Sequence, residues 1–229
     1  MHKAQVSALL ELRDVKQARF SELLRTTNMT SDNFKFHIRK LMALGYLVKE
    51  SDGRYALTAR GKEFTNRLDE ATGREILQPK SSMLMIVSSK LNGKRVFLAH
   101  HRTREPFFGF WGIASAPVLR GVPLLESAAH ELKKQTGIEA QFKFRGTLRV
   151  IDKNPDGEVL EDKLFSLLYV ELPEPTPPRR WRGGDSLWLT ESELLSKDKL
   201  FRSTQQTLAL VYDSQPFSEA ICVYTEEEY

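Results

Sequence analysis

The sequence predicts a multidomain α+β protein: a helical domain with one short hairpin over residues 1–77, then a mixed domain over 83–229. Three observations predict it. Apolar residues recur at helical spacing through the first part and are interrupted by one alternating stretch, YLVKESDGRYALT. From Met83 the pattern changes to strand-length apolar runs, beginning with MLMIVSS and RVFLAHH. Between the two patterns lies a polar stretch, PKSS, opened by Pro79, which reads as a linker. A chain of 229 residues is comfortable for two domains.

In the first domain, Gln5 to Arg13 carries Val6, Leu9, Leu10 and Leu12 on one helical stripe. Arg19 to Thr26 repeats the pattern with Phe20, Leu23 and Leu24. Thr30-Ser31-Asp32-Asn33 is a cluster of residues whose short side chains satisfy the first N–H groups of a helix. The helix that follows turns Phe34, Ile38, Leu41 and Leu44 to the core and ends at Gly45, a helix-terminating residue. Asp52-Gly53 sits at the centre of the alternating stretch and predicts a hairpin. Thr58 caps a last helix that runs through Gly61, Phe64 and Leu68 and fades near Gly73.

That order, three helices, a hairpin and a helix, is the order of a winged helix-turn-helix. The stretch FSELLRTTNMTSDNFKFHIRKLMALGYLVKESDGRYALTARGKEF resembles bacterial regulators of the ArsR and MarR type. The resemblance implies that the third helix enters the DNA major groove. With the apolar stripe inward, Ser31, Asn33, Lys35, Phe36, Arg39 and Lys40 face outward, short polar residues near the helix start and cations further along. Phe36 can meet a thymine methyl, and Lys49 and Arg54 flank the hairpin within reach of phosphate or the minor groove. His37 is expected to be a contact between helices. Charge agrees with an anionic partner here: residues 1–79 hold 14 Lys and Arg against 10 Asp and Glu, while 80–229 hold 20 of each.

In the second domain, turns are predicted at Asn92-Gly93 and at Asn154-Pro155-Asp156-Gly157, the latter between FKFRGTLRVID and KLFSLLYVEL. A helix occupies 121–138 and closes on Gly137-Ile138. PEPTPPRR is a proline-rich loop, SLWL a short strand, and Thr190-Glu191-Ser192-Glu193 caps a helical stretch reaching Tyr212. The one cysteine, Cys222, lies in the apolar run AICVY and reads as a buried thiol, which fits a reducing cytoplasm. No apolar run approaches the roughly 18–20 residues of a membrane span, and the charged start MHKAQVSALLELRDV is no signal peptide.

FLAHHRTREPFFGFWGIAS followed by a helix ending in Thr136-Gly137-Ile138 resembles the Nudix family, which implies an α/β/α sandwich. The family signature is Gly, five residues, Glu, seven residues, then Arg-Glu-apolar-x-Glu-Glu-x-Gly-apolar. Anchored on Gly137-Ile138, it places His130 at the arginine, Glu131 at the first glutamate of the second cluster and Leu132 at the apolar site. Lys134 and Gln135 stand at the next two glutamates, Ala116 at the first glycine and Val122 at the early glutamate. Metal-assisted hydrolysis needs several carboxylates gathered on one helix face, and Glu131 alone is one. Glu161, Asp162 and Asp185 are the acids that could join it from elsewhere. No metal site and no cofactor are therefore expected. Arg102, Arg104, Phe108 and Trp111, with Glu131 and Lys134, are read as a relic cleft in which arginine meets phosphate and an aromatic ring stacks on a base or sugar.

The expected function is a cytoplasmic transcriptional regulator that binds double-stranded DNA, with a catalytically degenerate Nudix-like domain sensing a small phosphorylated or nucleotide-derived ligand. An active metal-dependent hydrolase with an accessory winged helix, or a protein-protein scaffold, are the alternatives. A homodimer is expected from the two-fold symmetry of DNA half-sites, with Phe64, Leu68 and Ala71 as one possible seam.

Overall fold

The computed structural model describes every residue but 214, in two compact units, Met1–Leu77 and Gln78–Tyr229. In the first unit α1 (Lys3–Val15), β1 (Gln17–Ala18), α2 (Phe20–Arg25) and α3 (Ser31–Ala43) precede a hairpin of β2 (Leu47–Lys49) and β3 (Tyr55–Leu57), then α4 (Ala59–Thr65). The three strands form an antiparallel sheet in the order β1-β3-β2. Its core is the predicted stripe, with Leu9, Leu12, Leu23, Phe34, Ile38 and Leu41 buried against Leu47, Tyr55 and Leu57.

Three features of this unit differ from expectation. Leu44 is exposed, because the helix ends at that residue and Gly45, at φ +74°, turns the chain away. The strand β1 carries no sequence signal, since two residues are too short for an alternating pattern. The last helix stops at Thr65 and does not reach Leu68. Thr58 caps it as expected, accepting a hydrogen bond from the Gly61 N–H at 3.0 Å and donating to the Gly45 carbonyl at 2.6 Å. Leu68 then lies in an isolated antiparallel bridge to Glu75, buried within its own unit, so Phe64, Leu68 and Ala71 make no helical stripe for a dimer.

The second unit is built on an eight-stranded mixed sheet. Its strands are β4 (Lys80–Leu91), β5 (Lys94–Arg102), β6 (Trp111–Ile113), β7 (Ser115–Pro117), β8 (Lys143–Lys153), β9 (Val159–Glu171), β10 (Gly184–Leu189) and β11 (Phe217–Val223). The main order is β10-β5-β4-β9-β8-β11, with β6 on β5 and β7 on β4. Pairing is antiparallel except for β4 with β9 and β8 with β11. Residues 80–82, read as linker, are the first of β4. Helix α5 (Leu124–Thr136) lies on one face over Met83, Met85, Val87 and Leu98. On the other face α6 (Glu191–Leu195) and α7 (Thr204–Tyr212) cover Leu84, Ile86, Phe97 and Leu167.

Alternation in β4 explains the sandwich: successive residues feed opposite cores, so the strand is apolar on both faces and reads as a continuous run. The helical stretch predicted to run unbroken to Tyr212 is split in two. The backbone at Lys199 and Phe201 bonds instead to both sides of Trp111, at 2.7 and 2.9 Å, and a residue so engaged cannot continue a helix.

Candidate functional site

The first candidate site is the outward face of α3. Ser31, Asn33, Lys35, Phe36, Arg39 and Lys40 are all exposed, and Phe36 is 63% accessible although it is aromatic. Lys35 pairs with Asp32 at 3.0 Å, while Arg39 and Lys40 make no ion pair among the described residues. On the hairpin, Lys49 lies over the Tyr55 ring and Arg54 pairs with Asp52 at 3.5 Å. His37 stacks on His2 at 4.3 Å, and His2 in turn caps α1 by accepting the Ala4 N–H at 3.2 Å. Burial, then the charges of His2 and Lys40, lower the His37 pKa, so this ring is neutral and joins two helices.

The second candidate is a cavity of about 360 Å³ in the second unit, within the usual size of small-molecule sites. Leu84, Ile113, Val150, Phe165, Phe107 and Phe201 give it apolar walls. Lys80, Lys163, Arg102 and Arg104 bring four cations, against Asp152 and Glu161. Ser203, Thr204 and Thr207 add hydroxyls from the start of α7.

The charges form a chain of contacts. Lys163 reaches Asp152 at 2.8 Å and Glu161 at 3.7 Å, and Lys80 reaches Glu161 at 2.7 Å. The Tyr229 hydroxyl donates to Glu161 at 3.2 Å. Burial raises the Asp152 pKa against the opposing pull of Lys163. Burial acts in the same direction on Glu161, but the hydrogen bond from Lys80 and the charges of Lys163 and Lys80 outweigh it and hold that carboxyl low. One acid is thus firmly ionised, and its neighbour is easier to protonate.

The structure does not gather the sequence-predicted ligand residues in one place. Arg102 and Arg104 line the cavity, but with different freedom. Arg102 donates to the carbonyls of Arg104, Glu105 and Pro106, so its fork pins the loop. Arg104 is exposed and lies over the Trp181 ring at 5.2 Å. Phe108 points to solvent, and its neighbour Phe107 lines the cavity instead. Trp111 borders a separate recess of about 420 Å³ with Arg179 and Arg180, stacked on His101 at 4.5 Å with Lys197 over its face. His100 and His101 point opposite ways, as adjacent strand residues must; His100 lies beside Trp181.

Glu131 and Lys134 also lie outside the cavity lining. Glu131 is buried on α5 and accepts from Lys134 at 3.1 and 3.3 Å, with His130 at 3.4 Å. Gln135 donates to the Ser115 carbonyl at 3.2 Å. Among the acids considered as additional metal ligands, Asp162 pairs with Arg149, Asp185 with Arg180 and Glu161 with Lys80. Lys80, Lys163 and Asp152 do not stand out in the sequence. The signal lies in the hairpin register: a turn at Asn154–Gly157 sets Asp152 opposite Glu161, and Lys163 then falls two residues further on the same face.

Comparison with known proteins fits this geometry. Residues 4–75 match the family model described as winged helix-turn-helix, and this segment is a winged helix-turn-helix. A search of curated proteins gave no match to the sequence. Among solved structures the chain is similar to the Nudix domain of Shewanella oneidensis NrtR, complexed with ADP ribose. The two are 12% identical, the match covers 68% of this chain and 97% of that one, and the TM-score is 0.52. It is also similar to a MutT Nudix hydrolase from Burkholderia pseudomallei (19% identity, 59% and 99% covered, TM-score 0.47) and to the M. smegmatis Nudix hydrolase RenU (14%, 67% and 97%, 0.47). The second unit has a Nudix-like fold.

Hydrolysis assisted by a divalent ion needs several carboxylates gathered on one face. On α5 Glu131 already pairs with Lys134, and Gln135 is bound to backbone. Among the described residues, no group of three or more His, Cys, Asp or Glu side chains converges to hold a metal.

Proposed function

We propose that this protein is a DNA-binding transcriptional regulator whose Nudix-like unit senses a small phosphorylated or nucleotide-derived ligand without a metal. The observation that carries the reading is the cavity lining: four cations and two carboxylates above apolar walls, in a chain that also has a winged helix-turn-helix. Cations in the lining suit phosphate, the carboxylates and α7 hydroxyls suit sugar hydroxyls, and the apolar walls suit a base. Arg104 is the proposed phosphate contact and Arg102 the residue that shapes its loop. DNA would be met by Ser31, Asn33, Lys35, Phe36, Arg39 and Lys40 of α3, with Lys49 and Arg54 from the hairpin. The Nudix domain solved with ADP ribose makes that compound the first probe.

Thermal shift of the full chain with ADP ribose and related sugar and nucleoside phosphates, with and without Mg²⁺, tests the reading. Stabilisation independent of Mg²⁺ is expected. Mg²⁺-dependent stabilisation with turnover would instead identify a hydrolase, and no stabilisation by any of them would favour a scaffold.

A further inference from the structure

We infer that β11 is the contact strand of a symmetric dimer, in which two copies of the chain pair β11 antiparallel about Ala220. This rests on the edge of the sheet and is independent of the ligand reading. β11 is the last strand of its sheet and pairs on one side, with β8. The Thr147 N–H bonds to the Pro216 carbonyl and the Tyr224 N–H to the Lys153 carbonyl. In parallel register this sends the backbone groups of Ser218, Ala220 and Cys222 toward β8. Those of Phe217, Glu219, Ile221 and Val223 point away from the sheet. Among the described residues one of these outward groups is engaged, the Glu219 carbonyl, which takes a 3.4 Å bond from Gln206 and has a second lone pair.

The side chains of the same four residues are exposed, Ile221 at 61% and Phe217 at 52%. Edge strands are ordinarily protected by lysine, proline, a bulge or a covering loop. The opposite edge has such cover: Trp188 on β10 donates to the Thr176 carbonyl at 2.8 Å, and Arg180 pairs with Asp185. β11 has seven residues, FSEAICV, with neither lysine nor proline.

A second copy is the occupant because the strand complements itself. Pairing about Ala220 sets Phe217 opposite the partner's Val223 and Glu219 opposite the partner's Ile221, each twice across the two-fold axis. Aromatic and β-branched residues make favourable cross-strand pairs. These facing residues are the ones with outward backbone groups, so each pair is hydrogen-bonded. The strand's single charge, Glu219, never faces its own copy, and Arg149 at 3.4 Å already balances it. A register centred on Glu219 would oppose two carboxylates, and one centred on Ile221 would push Phe217 past the end of the strand.

The test is sedimentation velocity of the full chain at micromolar concentration, for the wild type and for Ile221→Lys and Phe217→Lys, whose side chains touch solvent. The wild type should sediment as a dimer, and each variant should dimerise at least tenfold more weakly with an unchanged circular dichroism spectrum. If one variant fails to fold, the other decides. Oxidation of a Glu219→Cys/Ile221→Cys double variant should give a covalent dimer, because facing residues lie about 5.5 Å apart at Cα, within disulfide reach. Glu219→Cys alone should not cross-link. A monomeric wild type, folded lysine variants that stay dimeric, or cross-linking by the single but not the double cysteine variant would each overturn the proposal.

Discussion

The outward face of α3 and the wall of the cavity both carry several cations, but these are placed under opposite physical conditions. On α3, Arg39 and Lys40 are exposed with no ion pair among the described residues, and Lys35 has one exposed partner. Such charges cost little to hold and are ready for a polyanion that releases its counterions on binding. In the cavity, Lys163 is largely buried against Asp152, and Arg102 is bound to three carbonyls. These charges are tied into the fold. Removing one leaves a buried partner uncompensated, which is far more costly than losing an exposed pair. The lesson is that the number of lysines and arginines identifies neither site; what separates them is whether a carboxylate or carbonyl already answers each cation.

The largest expected effect tests the exposed side of that contrast. Changing Lys35, Arg39 and Lys40 together to Ala should weaken duplex DNA binding by about 100-fold or more and reduce the salt slope by about 3, one for each phosphate no longer neutralised. Stability should move by no more than about 0.5 kcal/mol, as for other exposed substitutions. Fluorescence anisotropy across a salt series and urea unfolding measure the two quantities. Binding as tight as the wild type would remove α3 from the interface. The buried side should behave in reverse: Lys163→Met strands Asp152 and should cost about 3 kcal/mol in urea unfolding, with DNA affinity changed less than twofold. A loss below about 1 kcal/mol would show that the pair is solvated.

The sequence made much of the fold legible, and where it failed the reasons are physical. Helical stripes such as Phe34, Ile38 and Leu41, and turn residues such as Gly53, Gly93 and Gly157, act locally, so spacing reveals them. Strand β11 pairs in parallel with β8, more than sixty residues earlier, and FSEAICV has too little alternation to announce it. The break between α6 and α7 depends on Trp111, a residue distant in the chain. At the cavity, Arg102 and Arg104 were readable as lining residues because one ends a strand and the other lies in the loop just beyond it. The separation of Trp111, Glu131 and Lys134 from the cavity was not, because it depends on which face of the sheet each element covers.

Histidine offers a third measure of the same contrast. His100 is held down to about 4 by burial and by the charges of Arg102 and Arg104. Because its folded pKa is depressed, the unfolded chain binds more protons below about pH 6.5. Its contribution is therefore present above that pH and is lost as pH falls toward 4. Between pH 7 and pH 4.5 this amounts to about 2 kcal/mol. Urea unfolding of the wild type and His100→Gln at several pH values isolates it, since the carboxylates titrate in both. The variant should lose less stability over this range. Parallel curves would mean that His100 is solvated in the folded state.

The smallest expected effect separates the two cations that the sequence placed in one cleft. Arg104 lines the cavity, is exposed, and rests on Trp181, an arrangement that orients the guanidinium while leaving its donors accessible. A charge-assisted hydrogen bond to phosphate contributes about 1.5 kcal/mol at the low end of its range, so Arg104→Ala should weaken ADP-ribose binding by roughly tenfold. Lys134 sits on α5 with its ammonium on Glu131 and does not line the cavity. Lys134→Ala should change affinity less than twofold, and its cost should appear in unfolding instead, as Glu131 loses its partner. Isothermal titration of both variants without metal gives the comparison. Equal losses in the two would join the α5 face to the ligand site, whereas a loss in Lys134→Ala alone would move the ligand from the cavity to the place where the Nudix signature puts its carboxylates.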